Sequence, residues 1–166
     1  MATDSIQILG ESIGYWLQTV AIVSSACAAV VVIWHNGKTA RLRATIDMLI
    51  SEQRDDEYNE KYASLSKLIN TDKSLVDYAR FLDTEHQEFD NIRFVLNRLE
   101  FIAQGIRVGA FEEKIYKDLN CTNYLKIWQA VEPLVAEIRR RKNRDTYYQE
   151  IEWLAKRWKL NPIRKI

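Results

Sequence analysis

The sequence predicts an all-α protein in which one N-terminal transmembrane helix is followed by a cytoplasmic helical bundle of five or six helices. Only five Gly and two Pro occur among the 166 residues, while Leu, Ala, Glu, Lys and Arg, which favour helices, are plentiful. No long stretch alternates apolar and polar residues as a half-buried β-strand does. Residues 13 to 34 contain no Asp, Glu, Lys, Arg or His, which is typical of a transmembrane helix.

The apolar segment is long enough to cross a bilayer. Its twenty-two residues would span about 33 Å as a helix, against a hydrocarbon core of about 30 Å. Tyr15 and Trp16 at one end and Trp34 at the other fit the two headgroup regions, where amphipathic aromatic rings concentrate. A buried core helix is the weaker interpretation, because such helices seldom have so many consecutive uncharged positions.

Flanking charges predict the orientation of this segment. No Lys or Arg precedes it, whereas Lys38, Arg41 and Arg43 follow it, and basic residues mark the cytoplasmic side. We therefore expect a protein of the bacterial inner membrane, with residues 1 to 12 as a short extracytoplasmic N-terminus. A cleaved signal peptide is the main alternative, since residues 26 to 28 resemble a cleavage site, but no basic region precedes the apolar run.

Small residues recur every four positions on one face of the predicted transmembrane helix, at Ala21, Ser25 and Ala29. Such a face allows two helix backbones to approach closely. The pattern predicts self-association in the membrane and hence a homo-oligomer.

Residues 35 to 53 are predicted to form a juxtamembrane amphipathic helix, entered through a flexible joint at Asn36-Gly37. The apolar face of this helix consists of Leu42, Ile46, Leu49 and Ile50. The charged residues 52 to 57 then predict a solvated turn. Residues 54 to 166 are expected to form a single cytoplasmic helical domain.

The longest periodic segment predicts a central core helix from an N-cap at Asp83 or Thr84 to about Val108, with Gly109 as its C-terminal stop. The apolar residues that share its face are Phe89, Ile92, Val95, Leu96, Leu99, Ile102 and Ile106. Phe94 and Phe101 widen this face, as expected for a helix surrounded by others.

Two further helices are predicted after Gly109, a short one over residues 111 to 119 and a longer one capped by Thr122 or Asn123. Pro133 lies inside the second of these. Because proline lacks an amide donor and crowds the preceding turn, we expect a kink or a break there.

The C-terminal region, whose helix is predicted to start at Asp145 or Thr146, is basic. Residues 139 to 166 carry ten bases against three acids, whereas residues 47 to 90 carry twelve acids against five bases. The cations available for contact are Arg139, Arg140, Arg141, Lys142, Lys156 and Arg157. They form a solvated face paired with the acidic segment, or bind anionic membrane lipid, or bind nucleic acid; a membrane tether favours lipid over nucleic acid.

The sequence predicts no catalytic residue, no metal site and no cofactor. Gly-rich phosphate loops, paired Cys motifs and the Gly-x-Ser-x-Gly elbow do not occur. His86 and Asp90 have a spacing that suits two metal ligands on a helix, but without further His or Cys ligands a solvated acidic face is the better interpretation. Carboxylates can still meet in the fold, so an enzyme with an acidic site is kept as the alternative. It requires a cleft whose carboxylates have displaced pKa values.

Three parts of the chain carry a family resemblance: the stretch LNRLEFIAQGIRVG over residues 96 to 109, Trp128, and EWLAKRW over residues 152 to 158. The chain resembles domain-of-unknown-function family 4760, whose bacterial and phage members have an N-terminal span, an amphipathic helix and a helical domain. The resemblance implies this architecture along most of the chain and brings no catalytic residue.

Physical roles follow for several residues of these motifs. Gly105 is expected to allow close helix packing or a close approach of backbone. Glu100 and Arg107 lie among apolar neighbours, so we expect them to form a partly buried polar contact with Glu152 or Arg157.

The predicted function is that of a non-enzymatic, single-pass inner-membrane protein acting by protein-protein interaction or tethering at the cytoplasmic face. Its partner would be a second copy or another protein, in addition to the membrane lipid. Because genes of this family are also found in phage, the resemblance implies a more specific version, exclusion of superinfecting phage or another defence role.

Overall fold

A computed structural model describes residues 7–8, 11–71 and 74–163. Two short antiparallel strands, β1 (Gln7–Ile8) and β2 (Glu11–Ser12), precede the helices. The helices are α1 (Ile13–Arg54), α2 (Asp56–Asn70), a 3₁₀ helix (Leu75–Phe81), α3 (Gln87–Arg107), α4 (Glu113–Lys142) and α5 (Gln149–Leu160). The predicted all-α class is confirmed. Residues 1 to 6, 9 and 10 of the predicted N-terminal segment, and 164 to 166 of the basic region, lie outside the described residues.

The chain divides into two compact units, Met1–Ala40 and Arg41–Ile166. In the first unit, α1 contains an 18-residue window with a mean hydropathy of 2.0, none of which is buried. By length and composition this helix can cross a membrane. Asn36 and Gly37 are both helical, so the predicted joint does not interrupt α1.

The second unit is built around α3. This helix packs against α2 and α5, while α4 packs against the 3₁₀ helix and α5. All seven residues predicted for the central apolar face are buried, whereas Phe101 is 60% exposed. The ring of Phe101 instead packs edge-on against Phe111, with a centroid distance of 5.9 Å. Trp128 and Trp158, also buried, are the largest side chains of this core.

The two glycines of the motif over residues 96 to 109 both have structural roles, although the close contact at Gly105 is with a side-chain ring and not with a backbone as predicted. Gly109 has a φ of +75°, and the amide of Ala110 donates to the carbonyl of Gly105 at 2.8 Å while that of Gly109 donates to Ile106 at 3.1 Å. This pair of bonds is the Schellman motif, which needs a left-handed residue. A Cβ on Gly105 would lie 2.3 Å from a ring carbon of Phe111, so only glycine fits there.

Helix α4 is longer than predicted. It joins both predicted segments after Gly109 into one helix of 30 residues that includes Pro133, so the predicted break is wrong. Buried Val131 and Leu134 hold the chain on both sides of Pro133. Gln129, whose carbonyl loses its helical donor, is exposed, so water can satisfy that group.

The three helix N-termini predicted from polar residues are wrong: Thr122 and Asn123 lie inside α4, and the other two helices begin elsewhere. Helix α3 is capped by His86, whose Nδ1 accepts a hydrogen bond from Phe89, and not by Asp83 or Thr84. Helix α5 begins after Tyr148, which has a φ of 55° and makes no side-chain cap bond. Asp145 and Thr146 precede that start and do not cap the helix.

Within the second unit, the end of α1 after Ala40 buries a different face from the predicted one. Leu42, Ile46 and Ile50 are all exposed, whereas Thr45 is fully buried and Glu52 is 9% exposed. The hydroxyl of Thr45 accepts a hydrogen bond of 2.7 Å from the amide of Glu112, which offsets the cost of burying this polar side chain. The predicted solvated turn is therefore wrong: Glu52 is buried, α1 continues to Arg54, and α2 begins at Asp56. Asp55 alone lies between the two helices, and it caps α2 by accepting from the amide of Tyr58 at 2.9 Å.

Candidate functional site

A pocket of about 350 Å³ lies in the second unit, where the end of α1 meets α2, α3 and α4. We call it the Glu52 pocket. Its wall combines one carboxylate, four tyrosines, several amides and a few aliphatic side chains. These residues are Leu49, Glu52, Gln53, Tyr58, Asn59, Tyr62, Leu99, Tyr116, Leu119, Asn120, Asn123, Tyr124 and Ile127.

Glu52 is the charged group of this wall. Its Oε1 lies 3.5 Å from Nε of Arg98, and both atoms are buried without a hydrogen-bond partner among the described residues. Removing a carboxylate from water costs several kcal/mol unless hydrogen bonds and counter-charges offset the loss, about 1 to 3 kcal/mol for each unmade bond. The pair thus keeps hydrogen-bonding capacity that the described part of the chain does not use.

The electrostatics of the pocket follow from this burial. Burial raises the pKa of Glu52, and the Arg98 guanidinium opposes that rise. Burial also raises the pKa of Tyr58, Tyr62 and Tyr116, and the negative charge of Glu52 adds to the rise at each of them. The three phenols are therefore neutral at physiological pH, and the carboxylate acts on all three.

Helix geometry explains how these groups come together. Glu52 lies in the last turns of α1 on the same side as Thr45, since seven residues are close to two helical turns. Asp55 starts α2 immediately afterwards, and Tyr58 and Tyr62 follow one turn apart with ring centroids separated by 5.8 Å. The guanidinium of Arg98, from α3, lies 5.9 Å from the Tyr58 ring centroid.

Sequence reasoning missed Glu52 because its neighbours are charged. The available signal was the seven-residue spacing from Thr45, but a threonine and a glutamate do not look like an apolar face. Chemically, the pocket offers a carboxylate that can accept hydrogen bonds beside aromatic rings and amides.

Comparison with known protein families shows the family to which this chain belongs. The family described as Domain of unknown function (DUF4760) matches residues 19–158. This chain belongs to that family. No curated protein and no solved structure matches it. The DUF4760 match covers the Schellman turn at Gly109, the close contact at Gly105 and the whole Glu52 pocket.

The predicted polar contact of this DUF4760 domain exists, but with other partners than Glu152 or Arg157. Arg107 forms a salt bridge of 2.7 Å with the buried Glu150. The carboxylate of Glu100 accepts hydrogen bonds from the amides of Glu150 at 3.2 Å and Ile151 at 2.8 Å. Glu100, on α3, thus caps the start of α5, which lacks a cap of its own.

The predicted basic contact residues are paired within the DUF4760 chain. Arg139 binds the carbonyl of Tyr147 at 2.8 Å and Glu152 at 2.7 Å. The other five pairs are Arg140 and Arg141 with Glu137, Lys142 with Asp83, Lys156 with Glu152, and Arg157 with Glu113. Only Asp83 among these acids belongs to the segment over residues 47 to 90, so most of this pairing is more local than predicted. Binding of lipid or nucleic acid by these cations stays a prediction.

His86 and Asp90 are not part of a metal-binding cluster within the described ranges, where no group of three or more His, Cys, Asp or Glu side chains has the required arrangement. The imidazole of His86 stacks on Phe81 with a centroid distance of 3.7 Å. Its Nδ1 is occupied by the cap bond to Phe89.

The small residues Ala21, Ser25 and Ala29 are exposed on α1. The hydroxyl of Ser25 donates to the carbonyl of Ala21 at 2.8 Å, so its polar group is satisfied within its own helix. Self-association through this face stays a prediction.

Proposed function

We propose that this protein is a non-enzymatic, single-pass inner-membrane protein that acts by protein-protein interaction at the cytoplasmic face. The observation that carries the proposal is α1, in which no part of the apolar window is buried in the protein itself. A soluble protein would bear a large cost for leaving so much apolar surface in water. A bilayer removes that cost.

Cell fractionation with a charged substitution tests the anchor. The full-length chain should remain in the membrane pellet after carbonate extraction. Val23→Lys places a charge near the middle of the segment over residues 13 to 34, which costs about 2.5 to 3.5 kcal/mol on insertion scales, and should shift the protein to the soluble fraction. Val23→Leu is the matched control. Release of the unmodified chain into the soluble fraction by carbonate would contradict the anchor.

Thiol labelling in intact cells tests the orientation. The basic residues Lys38, Arg41 and Arg43 support a cytoplasmic second unit. In a chain whose own cysteines are replaced, a membrane-impermeant maleimide should label Ser12→Cys without lysis and Thr71→Cys only after lysis. The reverse pattern would overturn the orientation.

The exposed apolar residues of the juxtamembrane part of α1 support the interaction role. Ile46 and Ile50 are 42% and 41% exposed, and they lie one turn apart on the same face of the helix. We propose that a second copy of the chain covers this face, because the two copies would share one membrane and enter it in the same orientation. Exclusion of superinfecting phage is one process in which such an assembly could act.

Site-specific photocrosslinking in cells tests this interaction. A photoreactive residue at Ile46 should give an adduct of twice the chain mass, whereas the same residue at the exposed, polar position Glu60 should not. An adduct with one other protein would replace self-association by a different partner. Failure of Ile46 to crosslink to any protein would contradict the interaction role.

A second candidate function is an enzyme in which Glu52 acts as general acid or base. The raised pKa of this carboxyl in a cleft is the observation that favours it. An enzyme requires that Glu52→Gln stop the conversion of a bound ligand while leaving its affinity largely unchanged. A binding site requires that the affinity itself fall.

A further inference from the structure

The Glu52 pocket has the size of a small-molecule site. Its volume of about 350 Å³ lies near the lower end of the range of about 300 to 1,000 Å³ found for such sites. All of its lining residues belong to the unit Arg41–Ile166, so ligand binding in this pocket does not depend on the membrane anchor.

The carboxylate of Glu52 has room for hydrogen-bond donors. Its Oε1 is buried beside Nε of Arg98 at 3.5 Å, whereas Oε2 is not among the fully buried atoms and accepts no hydrogen bond from a residue that the structure describes. A carboxylate can accept about four hydrogen bonds. A ligand with N–H donors would therefore supply hydrogen bonds that this carboxylate lacks.

Aromatic rings surround the same carboxylate. Tyr58, Tyr62 and Tyr116 line the pocket with Glu52, and the faces of aromatic rings attract cations. The three phenols also lack hydrogen bonds to other side chains or carbonyls in the described part of the chain. The phenols of Tyr58 and Tyr62, which are less buried than that of Tyr116, can thus accept hydrogen bonds from a ligand.

The charges near the pocket also favour a cation. Asp55, at the start of α2, acts on Glu52 through its negative charge, and three more acids, Asp56, Glu57 and Glu60, follow in α2. The nearby Lys61 is held by Glu57 at 2.5 Å and lies over the Phe94 ring at 3.9 Å. Arg98 is thus the cation that offsets Glu52, and the surrounding excess is negative.

We propose that the Glu52 pocket binds a small organic cation with a primary ammonium group, which donates hydrogen bonds to Glu52 and lies against the rings of Tyr58 and Tyr62. A primary ammonium group brings three donors and one positive charge. It matches both the acceptor capacity and the charge of the wall.

Ligand titration of the full-length chain in detergent micelles tests this assignment. The tyrosine rings are labelled with ¹³C, and n-butylammonium is compared with 1-butanol, which has nearly the same shape without the charge. The ammonium should shift the ring signals of Tyr58, Tyr62 and Tyr116 in a saturable manner, and 1-butanol should not. Equal shifts with both compounds, or no shift with the ammonium, would overturn the proposal.

Charge variants locate the ammonium group. Glu52→Gln should weaken butylammonium binding about tenfold or more, because charge-assisted hydrogen bonds are roughly twice as strong as neutral ones. Glu60→Gln, which removes an exposed charge from α2 outside the pocket wall, should change it less than about twofold. Unchanged affinity in folded Glu52→Gln would overturn the proposal.

A gain of affinity provides a test that does not remove a buried group. Asn123 lines the pocket and is exposed, so Asn123→Asp adds a negative charge there with little expected effect on folding. It should tighten butylammonium binding several-fold, whereas Thr122→Asp, one residue away and outside the wall, should not. Equal effects of the two variants would show that only the net charge matters and would contradict the proposed site.

Discussion

The hydroxyl oxygen of Thr45 lies 2.7 Å from the backbone nitrogen of Glu112 and accepts its hydrogen bond. The same hydroxyl donates to the carbonyl of Arg41 at 2.8 Å. Glu112 is the N-cap residue of α4 and forms no side-chain cap bond of its own. A fully buried threonine on α1 therefore satisfies the amide of the N-cap residue of α4, and this bond joins two segments that are 67 residues apart.

Thr45→Val should destabilise the second unit. Valine keeps the shape of threonine but removes the hydroxyl, which leaves the partly buried amide of Glu112 without its partner, at a cost of about 1 to 3 kcal/mol. Thermal unfolding of the full-length chain in micelles, followed by circular dichroism, measures the effect. Thr122→Val on the exposed face of α4 is the control, and equal melting temperatures of the two variants would show that the bond contributes nothing.

Gly105→Ala should destabilise the protein although alanine favours helices. The new Cβ would meet the Phe111 ring at 2.3 Å, and overpacking of this kind costs about 1 to 3 kcal/mol. Gly37→Ala, where a Cβ meets nothing within 4 Å, should cause no loss. In a double-mutant cycle, Gly105→Ala should become neutral or stabilising when Phe111 is replaced by Ala. A loss that persists in that background would contradict the steric explanation.

Arg139 and Arg140 should differ strongly despite being neighbours. Only 19% of the Arg139 side chain is exposed, against 71% for Arg140. Arg139→Met removes the bonds to Tyr147 and Glu152 and should cost about 1 to 3 kcal/mol in the free energy of unfolding. Arg140→Met should leave that free energy nearly unchanged, because exposed ion pairs contribute little. Similar losses in both variants would mean that Arg139 has no special structural role.

The cap provided by Glu100 should make stability depend on pH. Burial raises the pKa of this carboxyl above its ordinary value of 4.5, the bonds from the amides of Ile151 and Glu150 oppose the rise, and the charge of Glu150 adds to it while Arg139 reduces it. A raised pKa in the folded state means that the stabilising contribution is complete below pH 4.5 and is lost as the pH rises through the folded-state value.

The difference in unfolding free energy between the unmodified chain and Glu100→Gln should therefore shift in favour of the glutamine variant as the pH increases from 4 to 7. Unfolding of both proteins across this range measures the difference, in which the titrations common to both chains cancel. A shift in the opposite direction would show that the amide bonds outweigh the burial and that the pKa of Glu100 is lowered.

Local patterns in the sequence predicted those parts of the fold that depend on local physics. The apolar face from Phe89 to Ile106 is buried as its helical spacing indicates. Gly109 ends α3 with a positive φ because no side chain there has to be accommodated. The apolar window of α1 needs no tertiary partner to be recognised.

The parts that the sequence did not predict depend on contacts between distant segments. The cap of α4 comes from Thr45 and that of α5 from Glu100. Neither cap could therefore be predicted from polar residues near the start of its helix. Glu52 is buried beside Arg98 and the tyrosines of the pocket. The charged residues next to it in the sequence instead predict an exposed position. The candidate site was therefore outside the reach of motif and periodicity arguments.

The contact between Gly105 and the Phe111 ring has a consequence for evolution. A larger residue at position 105 cannot be tolerated while the ring stays in place, and a smaller residue at position 111 leaves a gap above the glycine. Each substitution alone is harmful, but together they compensate. Natural variation within the family should therefore change these two positions together, so that relatives keep both residues or exchange both.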